Sequence, residues 1–204
     1  AQADGKGVPL VRPEGDVPKL RRGKGDKKTR KKEAITVALY TIEPYPRTPS
    51  EVVAALFRGK PPQSDRPAPW HKQVFARMDG KAAALRRLAH WAAKREGPHI
   101  RQRVALTDGA EALQDQMQAH LPDFPLVLDL IHVIEHLWTA GTAVYGETDP
   151  QREAWVRTQA LDILSSRTEA VIERLEAKAR MLSPDSRAAK ALRREAGYLQ
   201  RNLP

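Results

Sequence analysis

Apolar and polar residues alternate most cleanly between Glu33 and Ile42. Ile35, Val37 and Leu39 fall on one side of a two-residue repeat, with Ala34, Thr36, Ala38 and Tyr40 on the other. That is the pattern of a strand, and Pro44 and Pro46 end it. Residues 1–12 read as a strand opening a hairpin: Val8, Leu10 and Val11 are β-prone, and Pro9 marks an edge or an irregularity. Arg103 to Thr107 and Phe124 to Leu128 form two further short strands, the second ending at Asp129.

Elsewhere the period lengthens to that of a helix. Thr48-Pro49-Ser50-Glu51 carries a capping signature ahead of Val52, Val53, Leu56 and Phe57. After the Pro-rich residues 59–69, Val74, Met78, Leu85, Leu88 and Trp91 recur at helical spacing. They predict a helix from about Trp70 to Glu96, with Gly80 as a break and Gly97-Pro98 as the stop. Further helices are expected from Ala110 to about His120, from Leu130 to Tyr145, and over 151–165, 168–182 and 185–201, the last two parted by Ser183-Pro184-Asp185. The sum is an α/β chain: a mixed sheet flanked by helices, followed by an all-helical extension.

A hydrophobic share of 41% against 29% charged residues places the chain among globular proteins. It has no cysteine, which excludes disulfides and thiolate zinc sites and fits an intracellular, cytoplasmic location. No apolar run approaches the roughly 18 residues of a membrane span, so no membrane partner is expected. Net charge is +10 and unevenly spread. Lys19, Arg21, Arg22, Lys24, Lys27, Lys28, Arg30, Lys31 and Lys32 stand against Asp26 alone, a net of +8 within 14 residues. A solvated loop is one reading. A phosphate-binding arm is the other, because clustered Lys and Arg release counterions from nucleic acid.

Two apolar segments each run into Asp-Gly, at Asp4-Gly5 and Asp108-Gly109. An Asp on a strand tip, with a Gly that lets the chain turn away, leaves its carboxylate open at the sheet edge. Two such residues on adjacent strands could hold a hard divalent cation; two ordinary turns are the competing reading. Asp129, His132 and His136 share one stripe of a helix. His132-Val133-Ile134-Glu135-His136 also has the H-x-x-E-H spacing of inverted zinc peptidases, with no third ligand in evidence. Gly5-Lys6-Gly7 lacks the spacing of a phosphate-binding loop, and no Ser-His-Asp pattern or nucleophile elbow appears.

Taken together, Ala3-Asp4-Gly5-Lys6-Gly7-Val8-Pro9, the basic run ending in Lys31-Lys32, Val37-Ala38-Leu39-Tyr40-Thr41, Leu106-Thr107-Asp108-Gly109-Ala110 and the stretch from Phe124-Pro125 through Asp129 and His132 to Leu137 resemble bacterial DDE transposases of the Kra insertion-sequence group. The resemblance runs in order over most of the chain. It implies a ribonuclease-H-like mixed sheet with a helical insertion before the last catalytic residue. Residues 1–129 would form a partial catalytic core, with a basic arm at 19–32 and a helical, Pro-rich excursion at 44–98. Residues 130–204 would form the insertion.

The resemblance further implies that Asp4 and Asp108 are the first two catalytic carboxylates, binding Mg²⁺ or Mn²⁺. Asp129 and His132 match the family's supporting Asp-x-x-His element. The activity implied is metal-dependent cleavage and strand transfer at transposon ends, with end and target DNA as partners, a nucleoid association during that work, and a possible homo-oligomer. The family's third carboxylate, a Glu after the insertion, has no counterpart before Pro204. The chain also begins without Met inside a strand, so it reads as a fragment expected to be inactive by itself. A non-enzymatic nucleic-acid-binding protein using the basic arm is the alternative class, and a zinc peptidase using His132, Glu135 and His136 is the third.

Overall fold

The computed structural model describes residues 1–10, 31–57 and 66–203. Within these the chain forms two compact units, residues 1–41 with 69–127 and residues 42–68 with 128–204. The elements make an α/β protein: a five-stranded mixed sheet and seven helices. No helix among the described residues is long and apolar enough to cross a membrane.

The first unit carries the sheet. Strands β1 (Gln2–Pro9), β2 (Lys31–Thr41), β3 (Trp70–Arg77), β4 (Ala105–Thr107) and β5 (Leu126–Leu128) stand in the order β3-β2-β1-β4-β5. β1 pairs antiparallel with β2 and parallel with β4, and β2 pairs antiparallel with β3. The period-two pattern of β2 does what it predicts. Ile35, Val37 and Leu39 are buried and join Ala3 and Ala105 under two helices, α2 (Lys81–Arg95) and α3 (Glu111–His120). Ala84, Leu85 and Leu88 of α2 and Leu113 and Met117 of α3 complete this core. Each fully buried aliphatic side chain contributes about 1.5–3 kcal/mol of transfer free energy.

One expectation is corrected here. Residues 70–77 are not the first turns of a helix; they form β3, and the helix begins only after Gly80, whose φ of 102° breaks the chain. Only Phe75 of the apolar trio Trp70, Val74 and Phe75 turns inward, where its ring meets Trp91 edge-on at 4.9 Å. Val74 stays 53% exposed. Backbone pairing with β2 outweighs the weak helical spacing of Val74 and Met78.

The second unit is helical. It contains α1 (Pro49–Leu56), α4 (Leu130–Tyr145), α5 (Gln151–Leu164), α6 (Thr168–Arg180) and α7 (Arg187–Arg201). The capping signature before α1 is realised: the Thr48 hydroxyl accepts from the Glu51 amide, and Glu51 accepts from the Thr48 amide at 2.7 Å. Ser186 caps α7 in a similar way, accepting from the Ala189 amide. Val133, Leu137, Val156, Val171, Leu175, Leu192 and Leu199 fill the core. Gly141 marks the close approach of α4 to α5, where a Cβ would stand 3.0 Å from the Val156 side chain.

Candidate metal centre

The parallel pairing of β1 with β4 sets the position of the two Asp-Gly residues. Gln2 lies opposite Leu106, and the Leu106 amide donates to the Ala1 carbonyl at 2.9 Å. Two residues further on come Asp4, within β1, and Asp108, just past the end of β4, and a step of two along extended chain restores the same face. Ala3 and Thr107 between them turn the other way and are buried. A carboxylate oxygen of Asp4 and one of Asp108 consequently lie within 4.8 Å of each other.

The two residues reach this place by different local means. Asp108 follows β4 at a true turn: Gly109 has φ 85°, and the Asp108 carboxylate accepts from the Ala110 amide at 3.0 Å, leading into α3. Asp4, by contrast, is not on a strand tip. It sits within β1 opposite Thr36, and Gly5 continues the strand opposite Ile35. The space beside Gly5 is tight: a Cβ there would stand 3.1 Å from a Glu33 carboxylate oxygen and 3.3 Å from the Ile35 side chain, and those side-chain ends would have to give slightly.

Two carboxylates this close repel each other, and a cation between them removes the repulsion. They offer hard oxygen donors only, the chemistry that suits Mg²⁺ or Mn²⁺ and not a thiolate-seeking metal. The two carboxylates are compatible with a hard divalent cation of the kind that the sequence resemblance implies.

In the helical unit, Asp129 is the N-cap of α4, its carboxylate accepting from the Ile131 amide at 2.8 Å. Its other oxygen stands 3.5 Å from His132 Nδ1, an ion-pair distance without a formed hydrogen bond. Glu135 and His136 belong to no grouping of three or more candidate metal ligands among the described residues. His136 is engaged elsewhere, with Nδ1 lying 2.5 Å from Glu195 on α7 and its ring stacking on Tyr198 at 3.5 Å.

Glu195 is the residue that sequence reasoning missed. Its side chain is only 2% exposed, and its second oxygen accepts from Arg194 Nε at 2.8 Å. Burial pushes the Glu195 carboxyl up, but hydrogen bonds from His136 and Arg194 outweigh this and hold it below the usual carboxylate range. A signal was present: Leu192, Glu195, Ala196 and Leu199 recur at the spacing of a buried helical stripe.

Of the basic run, Lys19, Arg21, Arg22, Lys24, Lys27, Lys28 and Arg30 lie outside the described residues. Lys31 and Lys32 open β2 and are exposed. In comparisons with known proteins the chain matches no family model, no curated protein and no solved structure.

Proposed function

We propose that Asp4 and Asp108 are the carboxylate ligands of a divalent-cation centre that acts on DNA phosphodiesters, as in the strand cleavage and strand transfer of the DDE transposases that the sequence resembles. The observation that carries this reading is the convergence of the two carboxylates within 4.8 Å through the parallel register of β1 and β4. On the same reading the sheet is a ribonuclease-H-like core and the helices from α4 onward are its insertion.

Asp4 and Asp108 would hold the cation from neighbouring strands, each through backbone fixed by the sheet or by the turn at Gly109. A bound Mg²⁺ or Mn²⁺ would supply Lewis-acid stabilisation of the phosphoryl oxygens and lower the pKa of an attacking water or 3′-hydroxyl. The position of Asp4 inside β1 is suited to this, because the pairing with β2 fixes the backbone from which the carboxylate projects. Asp129 and His132 take the supporting part that the resemblance assigns to them. The basic residues 19–32 would hold phosphates without reading bases.

Calorimetric titration of Mn²⁺ into the wild-type chain and into Asp4→Asn/Asp108→Asn tests the proposal. Binding that is lost in the double variant supports it. Equal binding in both proteins, or none in the wild type, overturns it for this chain. In a protein competent for strand transfer, Asp108→Asn should abolish transfer and leave DNA binding intact.

A further inference from the structure

The sheet of the first unit has two unlike faces. Residues Ala3, Ile35, Val37, Leu39 and Phe75 point to the side covered by α2 and α3. Alternation along the strands, fixed by the pairings Asp4 with Thr36, Lys6 with Ala34 and Thr36 with Ala76, puts another set on the opposite side. This set includes Asp4 and Lys6 of β1, Lys32, Ala34, Thr36 and Ala38 of β2, and Lys72, Val74 and Ala76 of β3. Neither helix of the unit covers that side. Lys6, Lys32, Thr36, Lys72, Val74 and Ala76 are all exposed.

Charge is sorted between the faces. The three strands contain two acids, Asp4 and Glu33. Glu33 lies on the helix-covered side, opposite Gly7, where it forms a salt bridge with Lys81 at the start of α2. Asp4 alone is left on the open face, together with three lysines. None of Lys6, Lys32 and Lys72 forms a salt bridge among the described residues, whereas the acids around α2 are matched by Lys81, Arg77 and Arg103. A sheet face with small, neutral side chains at its centre and ammonium groups around it is level enough for a backbone of phosphates to lie on, and it carries the complementary charge. Lys6 shares the pleat of Asp4 two residues along β1, so a phosphate held by Lys6 is held beside the acidic pair.

We infer that the open face of β1, β2 and β3 is a docking surface for the sugar–phosphate backbone of DNA, with Lys6, Lys32 and Lys72 as its phosphate contacts and Asp4 at its border. The inference rests on the reading of Asp4 and Asp108 as a centre acting on DNA, and it adds the path by which the strand arrives. Lys6 is a positioning residue in this arrangement: it fixes where the phosphate lies and takes no part in bond making.

The test is fluorescence anisotropy of a labelled 20-base-pair DNA duplex at a series of salt concentrations, on the wild-type chain, on Lys6→Ala/Lys72→Ala, and on Arg86→Ala/Lys94→Ala. The last variant removes the same charge from exposed positions of α2, on the covered side of the sheet. Circular dichroism establishes that each variant folds. The expected result is a loss of affinity on the order of tenfold for Lys6→Ala/Lys72→Ala, with the log–log salt slope shallower by about 2, since each phosphate contact contributes about 0.9. The α2 variant should change little. Equal losses in both variants, no loss in either, or no DNA binding by the wild-type chain each overturn the inference.

Mn²⁺ titration separates its failure from that of the metal centre. If Asp4→Asn/Asp108→Asn loses Mn²⁺ while Lys6→Ala/Lys72→Ala leaves DNA affinity unchanged, the docking surface is wrong and the metal centre stands. If the lysine variant weakens DNA binding and the Asp variant keeps its Mn²⁺, the metal centre is wrong and the surface is a DNA-binding face without it.

Discussion

The two units place their carboxylates in opposite circumstances. In the helical unit, Glu195 is buried between His136 and Arg194, and Asp162 lies between the guanidinium groups of Arg167 and Arg174. In the sheet unit, Asp4 and Asp108 are brought toward each other, acid to acid. The first arrangement lowers the energy of the folded chain, because each charge meets its opposite. The second raises it until a cation arrives. Groups that stabilise and groups that act are thus distinguished by the charge of the ionisable side chains set against them, and substitutions should separate them.

The largest effect is expected at the buried pair. Glu195→Ala removes a fully packed side chain that accepts from both His136 and Arg194, and it opens a cavity between α4 and α7. Deleting buried atoms and charge-assisted hydrogen bonds of this kind costs about 2–3 kcal/mol. The figure is held below that for a stranded buried charge, because the Arg194 side chain is 66% exposed and recovers water. Urea unfolding followed by helical circular dichroism measures it. A loss under about 0.5 kcal/mol would show that the contact is not holding α7 to α4.

Acid should have the next largest effect, in a direction that the bonding fixes. Burial alone would raise the Glu195 carboxyl, but its partners hold it below its ordinary value in the folded chain. A depressed folded pKa gives stability that is complete above the unfolded carboxylate range and fades as pH falls through the folded value. Asp162 acts in the same sense, lowered mainly by its hydrogen bond from Arg167 against the opposing pull of burial. Wild-type stability should therefore decline as pH drops below about 5, and more steeply than in Glu195→Gln, which lacks one of the two groups. Parallel declines would remove Glu195 from the account.

Sequence periodicity carried much of the fold, and its failures have physical causes. β2 and α4 were legible because each buries one full face, so the apolar repeat appears intact in Ile35, Val37 and Leu39 and in Val133, Ile134 and Leu137. β3 was not, because it is an edge strand with Val74 and Trp70 turned to solvent; its apolar residues fell by chance at helical intervals ahead of the true stripe of α2. The identities of Asp4 and Asp108 could be picked out, but their approach depends on the register of β1 against β4, which no local pattern encodes. Glu195 stood visibly on an apolar stripe, yet its partner His136 lies 59 residues away. The open, lysine-bordered face needed the same missing knowledge, since it exists only once three strands are aligned.

The smallest effect is the sharpest test of the comparison, because its sign is reversed. Two unit charges within 4.8 Å repel by about 1 kcal/mol in water, and Asp4→Asn removes that repulsion while keeping the size and extended backbone of the residue. Without divalent cations, Asp4→Asn should therefore unfold at a slightly higher temperature than wild type, where Glu195→Gln unfolds at a lower one. Added Mn²⁺ should then reverse the order for Asp4. An ion that binds only the folded wild type raises its stability by RT ln(1 + [Mn²⁺]/Kd), and the variant has lost a ligand. A melting series with and without Mn²⁺ gives both signs in one experiment. If Asp4→Asn is destabilised in the absence of metal, Asp4 is a structural acid like Glu195, and the contrast between the two units fails at the residue on which it rests.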